Sequence, residues 1–298
     1  MYKISNAEML NFFQANNEIK FFYTCNDIVN AGKKDYGIKS VEFYTLEENK
    51  PDLEYIEFIV NVFNDLIVYI KTTNDYLIEE TCKKITEIYR SYNEIRIGTP
   101  YIELMKNDII LKYFDISNDY KAEYGVYALL SEQKLPELII PDNIEITFAL
   151  TDDEQKIINL DNNEWECLPD RFKYKENADF ILLLYSHNQL AGYLQAAMLY
   201  KNIYDIGNVF VHESFRGNGF GSLLTIYYAN YCLNNGFIPH YGSAKSKYSE
   251  NVAVKSGFEE ISRSYYFKIA TKQSTHIINI EEIEHGYNFR KRKLEKIL

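Results

Sequence analysis

The residues best suited to chemistry lie in FVHESFRGNGFGSLLTIYYANYCL, residues 210–233, where glycines alternate just before an apolar, helix-like run. Arg216 opens this loop, and Gly217, Gly219 and Gly221 follow at every second position. Such spacing indicates that a ligand or another segment comes close to the backbone. Consecutive N–H groups at the start of a helix form a site for a phosphate or another anion.

The spacing of the loop separates three phosphate-binding patterns. A P-loop needs a lysine after its last glycine, but Ser222 follows Gly221 directly. A dinucleotide fingerprint, G-x-G-x-x-G, would need a glycine where Ser222 stands. The pattern [RQ]-x-x-G-x-[GA] is matched by Arg216, Gly219 and Gly221, and a pyrophosphate fits it. A flexible strand-to-helix turn without a ligand is the alternative.

The elements that must position the loop follow from hydrophobic periodicity and turn residues. The predicted order begins with a strand at Ile144, a helix capped by Thr151, an antiparallel hairpin over 179–199 and a strand over 203–211. The loop, a helix ending at Asn235-Gly236, a short strand, a helix and a last strand follow. This order predicts an α/β domain with the loop between its fourth strand and a helix.

Residues 180–269 resemble the GNAT superfamily of acyl-CoA-dependent N-acetyltransferases, and the resemblance extends more weakly back to 144. The family motif V-x-x-x-x-R-G-x-G-x-G is matched from Val211 onward, and the later motif K-x-G-F is matched by Lys255-Ser256-Gly257-Phe258. The run NYCLNNGFIPHYGSAKSKYSENVAVKSGF is similar to a bacterial subgroup. The resemblance implies a GNAT fold: a mixed, splayed, mostly antiparallel sheet flanked by helices.

The resemblance also implies a place for acetyl-CoA as co-substrate. The end of the loop strand would pair with the pantetheine arm, and the loop amides would hold the pyrophosphate. Two serines near the next helix complete the expected binding set. The residues implied to bind the donor are Val209, Phe210, Val211, Arg216, Gly217, Asn218, Gly219, Phe220, Gly221, Ser222, Ser246 and Ser249.

The catalytic groups are less clear from the resemblance. The tyrosine that many family members use as a general acid falls at Ala253, where the resembled bacterial subgroup also has alanine. Tyr248 is a nearby candidate donor. The strand glutamate that some members use as a base falls at Asp205, although an exposed strand start is the alternative there. His212 and Glu213, beside the loop, are expected to be solvated.

The domain prediction places a boundary in the proline-bearing stretch 130–143. An N-terminal α/β domain of unknown role covers 1–140, the GNAT domain covers 141–270, and a charged, helical tail covers 271–298. In the first domain, a capping box at Ser5 and Glu8 predicts a helix. A hairpin over 54–71 and a helix over 76–92 suggest a degenerate GNAT-like copy, which lacks a glycine loop and should not bind CoA.

Composition limits the partners. The 298 residues carry a net charge of -11, which disfavours nucleic-acid binding and is compatible with amines as partners. Four cysteines form no CxxC pair, so we expect no metal site, and reduced thiols in the cytoplasm. No apolar run is long enough for a membrane span.

The predicted function is transfer of an acetyl group from acetyl-CoA to a primary amine, on a small molecule or a peptide, by direct attack in a ternary complex. An inert CoA-binding or regulatory module is the alternative. A homodimer is left open.

Overall fold

The computed structural model describes residues 1–16, 22–33, 37–48, 50–129, 134–150, 153–160 and 180–272. Residues 273–298, nearly all of the predicted helical tail, lie outside this range, as does Cys167.

Within the described residues, twelve strands form one continuous sheet, six from each half of the chain. The strands of the first half are β1 Tyr2–Ile4, β2 Ile38–Thr45, β3 Tyr55–Asn61, β4 Leu66–Lys71, β5 Ile95–Thr99 and β6 Phe114–Ala128. Those of the second half are β7 Ile144–Phe148, β8 Phe180–Ser186, β9 Gln189–Tyr200, β10 Ile203–Val211, β11 Ile238–Ala244 and β12 Glu259–Thr271.

Seven α-helices connect these strands in the described parts of the chain. They are α1 Asn6–Ala15, α2 Phe22–Asn30, α3 Asp75–Ile88, α4 Asp108–Tyr113, α5 Glu154–Leu160, α6 Phe220–Asn234 and α7 Lys247–Lys255. The predicted capping box is present at α1, where the Ser5 hydroxyl accepts from the Glu8 N–H and the Glu8 carboxylate accepts from the Ser5 N–H. The helix predicted over 76–92 is α3, extended by a 3₁₀ turn.

The two halves repeat one topology. In the first, β4 and β5 are parallel and joined by α3, and α4 leads on to β6. In the second, β10 and β11 are parallel and joined by α6, and α7 leads on to β12. A parallel pair needs such a crossover, whereas the flanking hairpins β3–β4 and β8–β9 are antiparallel. The first half is therefore a structural copy of the second.

The copies exchange their last strands. The sheet order is β1-β2-β3-β4-β5-β12-β6-β11-β10-β9-β8-β7, so β12 lies between β5 and β6, while β6 lies between β12 and β11. Strands β6 and β12 pair from Phe114 opposite Thr271 to Ala128 opposite Glu259, with register shifts after Glu260 and after Phe267. Each half thus completes its sheet with a strand from the other.

Helices α1 and α2 pack across both halves. Their buried residues Met9, Phe13 and Cys25 share one apolar cluster with Tyr55 of β3 and Tyr200 of β9. The opposite face of the sheet is covered by α3 in the first half and by α6 in the second. The central strands therefore present, beside α2, a face that neither α3 nor α6 covers.

Both predicted hairpins and the four elements from β10 to α7 are confirmed. The turns at Asn64, His187 and Asn188 adopt the left-handed conformation that tight hairpins require. Strands β1, β2, β5 and β6 and helices α2 and α4 were not predicted from the sequence.

Candidate active site

Strands β10 and β11 separate at the centre of the second half. They pair only from Ile203 opposite Ile238 to Asp205 opposite His240, whereas β10 continues beside β9 as far as Val211. A register shift follows Ile206, and Gly207 is exposed after four buried residues. Beyond Gly207 the edge of β10 therefore faces an opening, where its backbone groups can bind an extended ligand.

Tyr228 of α6 supports the strands where they separate. Pro239, opposite Tyr204, has no N–H to donate across the pair. The Tyr228 hydroxyl instead donates a 2.7 Å hydrogen bond to the Tyr204 carbonyl, and the oxygen of this hydroxyl accepts from the His240 N–H at 3.2 Å. Tyr228 is fully buried, and burial raises its pKa. Its hydroxyl is therefore a structural bridge between β10 and β11.

The glycine loop adopts the geometry of an anion site. Gly219 is the N-cap of α6 with φ of 79°, and Gly217 has φ of 85°, both in the left-handed region that favours glycine. The first helical hydrogen bond runs from the Leu223 N–H to the Gly219 carbonyl. The four preceding N–H groups, from Gly219 to Ser222, therefore have no acceptor within the helix and are oriented for an anion.

Side chains of the loop are tied to the backbone. The Arg216 Nε donates to the carbonyl of Val211 at 3.0 Å, which joins the loop to the end of β10. The Asn218 amide donates to the carbonyl of Phe215 at 3.0 Å. These contacts hold the turn and leave its main-chain N–H groups as the anion-binding groups.

Ser246 and Ser249 form the N-terminal cap of α7. The Ser246 hydroxyl accepts from the Ser249 N–H at 3.2 Å, and the Ser249 hydroxyl donates to the Ser246 carbonyl at 2.8 Å. Both serines line the cavity that opens beside β10. They thus have a structural role in addition to the donor-binding role predicted for them.

Asp205 lies buried beside the point of separation. Its Oδ1 accepts from the Gly242 N–H and from His240 Nδ1, each at 2.8 Å, and its Oδ2 accepts from the Tyr23 hydroxyl at 2.8 Å. The alternative of an exposed strand start is wrong, because only 7% of the residue is exposed. Protein donors thus occupy three of about four acceptor positions of the carboxylate.

One cavity of about 1040 Å³ joins the opening in the second half to the face of the first half. Asp205, Asn208, Val209, Ser246 and Ser249 line it on one side. The first half contributes residues of α2, β3, β4, β5 and β6, namely Tyr23, Thr24, Asp27, Tyr55, Glu57, Ile59, Ile67, Tyr69, Lys71, Arg96, Tyr124 and Val126. The first half therefore forms a wall of the site.

The other candidates from the sequence lie elsewhere. Tyr248 is 85% exposed in the first turn of α7 and does not line this cavity. Ala253, at the position of the family acid, is fully buried against α6. His212 caps the 3₁₀ turn Glu213–Phe215 by accepting from the Ser214 N–H. Cys232 lies in the core, and burial raises its pKa to about 12, so this thiol is unsuited to nucleophilic chemistry.

Sequence reasoning missed Tyr23 and Glu57. Tyr23 gave no local signal, since its partner Asp205 is 182 positions away. Glu57 did give one, because it interrupts the apolar run of β3 on the same side of the strand as Tyr55 and Ile59.

The described residues bring together no group of three His, Cys, Asp or Glu side chains that could hold a metal ion. Over the same residues, none of the helices combines the length and the apolar character needed to cross a membrane.

The fold matches solved GNAT structures across both halves. A GCN5-related N-acetyltransferase from Sphaerobacter thermophilus aligns with 90% of this chain and 94% of its own at a TM-score of 0.57 and 11% identity. A tandem GNAT protein from the clavulanic acid biosynthesis pathway aligns with 91% of this chain and 97% of its own at 0.53 and 10% identity. A GCN5-related N-acetyltransferase from Kribbella flavida aligns with 74% of this chain and 88% of its own at a TM-score of 0.53 and 9% identity. The chain therefore has the mixed α/β GNAT fold.

At the sequence level, the acetyltransferase (GNAT) family profile matches residues 146–258. The matched segment contains the opening between β10 and β11, the glycine loop and α7. This part of the second half is therefore similar to the acetyltransferase (GNAT) family. A comparison with curated proteins gave no match.

Proposed function

We propose that the protein is an N-acetyltransferase that moves an acetyl group from acetyl-CoA to a primary amine by direct attack in a ternary complex. One observation carries the proposal: the opening between β10 and β11 lies next to both the anion-binding start of α6 and the buried carboxylate of Asp205. A donor and an acceptor entering from opposite sides of the sheet would meet at Gly207.

The donor side follows from the backbone. The N–H groups from Gly219 to Ser222 would bind the pyrophosphate, since a helix N-terminus favours anions. The edge of β10 from Val209 to Val211 would pair with the pantetheine amides, as an added strand pairs with a sheet edge. No metal is needed for either contact.

The acceptor side follows from Asp205. An alkylammonium must lose a proton before its nitrogen can attack the thioester carbon. We propose that Asp205 accepts this proton, directly or through a water. The new C–N bond then forms, the C–S bond breaks as the thiolate leaves, and the nitrogen gives its second proton to water. A backbone N–H of β10 would stabilise the negative oxygen of the tetrahedral intermediate.

The alternative is a CoA-binding module without catalysis, favoured by the buried Ala253 where the family has an acid. We prefer the enzyme because the resembled bacterial subgroup also carries alanine there, and because a thiolate of ordinary basicity can take its proton from water.

The test combines calorimetry and turnover. Titration with CoA measures donor binding, and release of free thiol from acetyl-CoA across a panel of primary amines measures transfer. CoA binding together with amine-dependent thiol release supports the enzyme. CoA binding without release for any amine, alcohol or lysine peptide supports the module, and no CoA binding overturns both.

A further inference from the structure

Glu57 of β3 is a buried carboxyl in the wall that the first half contributes to the cavity. Only 3% of the residue is exposed, and its Oε1 has no hydrogen-bond partner. A buried polar atom without a partner costs about 1–3 kcal/mol, and more for a charged group. A ligand that donates a hydrogen bond to Oε1 would remove this cost.

The surroundings of Glu57 favour a cationic donor. Aromatic rings and charged groups from four elements face it: Asp27 on α2, Tyr55 on β3, Tyr69 and Lys71 on β4, and Tyr266 on β12. Burial and the neighbouring Asp27 carboxyl raise the pKa of Glu57 well above its ordinary value, and Lys71 acts in the opposite direction. Tyrosine faces and carboxylates are the groups that bind alkylammonium ions.

Of the three cations among the described residues that line the cavity, Lys71 acts on Glu57, and it lowers the pKa of this carboxyl without reversing the upward shift. Arg96 forms an ion pair with Glu94, which also binds Lys268. Lys245 is exposed, and its Nζ lies 5.5 Å from the ring centre of Tyr124. Lys71 is half-buried, with its Nζ 5.3 Å from the ring centre of Tyr55. Glu57 and Asp205 are the deeply buried carboxyl groups among the described residues that line the cavity, so its inner wall is acidic.

We propose that the first half of the chain is the acceptor-selecting half, and that Glu57 binds the second, non-reacting ammonium group of a diamine while the first amine lies beside Asp205. This inference rests on the proposed function for the reacting amine. It adds the substrate class: an alkyl chain with a cation at each end. The tyrosines of the wall would contact the chain between the two ends.

The binding test uses matched ligands on the full chain, independent of activity. Linear α,ω-diamines of three to eight carbons are compared by calorimetry with the monoamine and the ω-amino acid of the same length, in the presence of CoA. We expect one diamine to bind at least about 10-fold tighter than its monoamine, in line with a charge-assisted hydrogen bond. Equal affinities at every length, or tighter binding of an ω-amino acid, would overturn the proposal.

The variant test assigns the preference to Glu57. Glu57→Gln should reduce the affinity for the diamine to within about threefold of the affinity for the monoamine. The affinity for the monoamine should not change, because a carboxamide keeps the shape of the side chain and loses only the ion pair. Glu87→Gln, an exposed carboxyl on α3 behind the sheet, is the control and should keep the preference. Asp27→Asn is the second variant if Glu57→Gln does not fold. A preserved preference in the folded variant contradicts the assignment.

Two further results separate this inference from the proposed function. Diamine binding should release a proton, seen as an enthalpy that varies with the ionisation enthalpy of the buffer, and Glu57→Gln should abolish this. If the diamine binds in this way but no thiol is released, the acceptor site stands and the transferase fails. If monoamines are acetylated as well as diamines at every length, the transferase stands and the diamine site fails.

Discussion

The hydroxyl of Tyr23 donates a 2.8 Å hydrogen bond to Oδ2 of Asp205 and so ties α2 of the first half to β10 of the second. The ring of Tyr23 also meets the His240 ring edge-on, with centres 5.7 Å apart. Gly242 makes room for this contact, since a Cβ there would fall 1.5 Å from the Tyr23 hydroxyl and 2.8 Å from Asp205 Oδ1. Tyr23 from the first half and Asp205 from the second therefore meet beside Gly242 of β11.

Replacement of Gly242 by alanine should displace Tyr23 and lower stability by about 1–3 kcal/mol, the usual cost of overpacking. The substitution should cost less in a Tyr23→Phe background, because the atom nearest to the new Cβ is then absent. Urea unfolding of the two single variants and the double variant measures this coupling. Additive free energies would contradict the contact.

Asp205→Asn should lower kcat by about 100-fold or more, as expected when a general base is removed. It should also remove the limb of the pH–rate profile that reports the base. The control is Asp65→Asn, which removes a buried carboxyl at the β3–β4 turn, outside the cavity. An unchanged pH profile in Asp205→Asn would exclude the base role.

Gly219→Pro should reduce CoA affinity by about 100-fold or more. Proline removes one of the loop N–H groups and cannot adopt the φ of 79° found there. Gly219→Ala keeps the N–H, and its cost is the energy of placing alanine in the left-handed conformation, about 1–2 kcal/mol. The alanine variant should therefore bind CoA more tightly than the proline variant. Asn218→Ala should bind CoA nearly as the parent does. Calorimetry with CoA tests all three, and undiminished affinity of Gly219→Pro would contradict the pyrophosphate site.

The stability of the protein should fall as the pH rises above the ordinary pKa of a glutamate. The folded state holds the pKa of Glu57 above its unfolded value, so between these values the folded chain binds more protons than the unfolded chain. The loss is at most about 1.4 kcal/mol per pH unit from this group. Glu57→Gln should lose less stability than the parent between pH 5 and pH 8, as measured by urea unfolding. Parallel curves would show that Glu57 does not titrate in this way.

Division of the chain at the predicted domain boundary tests the strand exchange. Residues 141–298 alone lack β6, which lies between β11 and β12, and should not fold cooperatively. Residues 1–140 lack β12 and should behave likewise. Expressed together, the two pieces should form a stable 1:1 complex with the CoA affinity of the whole chain. Independent cooperative unfolding of either piece would contradict the exchange.

Much of the second half could be predicted from the sequence because its signals are local. The glycines of the loop, the hairpin residues His187 and Asn188, and the apolar face of α6 each act over a few positions. The short strand β5 and the polar strand β6 gave weaker periodicity. Their assignment depends on strands more than 100 residues away, which no local pattern records.

The sequence by itself determined the anion-binding loop, the order of elements around it and the GNAT resemblance, since turn chemistry and helix periodicity operate over neighbouring residues. Only the tertiary structure decided that β6 and β12 change places, that Asp205 is buried, and that Tyr23 and Glu57 reach the same cavity. The physical reason is that burial and charge neighbours are set by which segments pack together. In this protein those segments come from opposite halves of the chain.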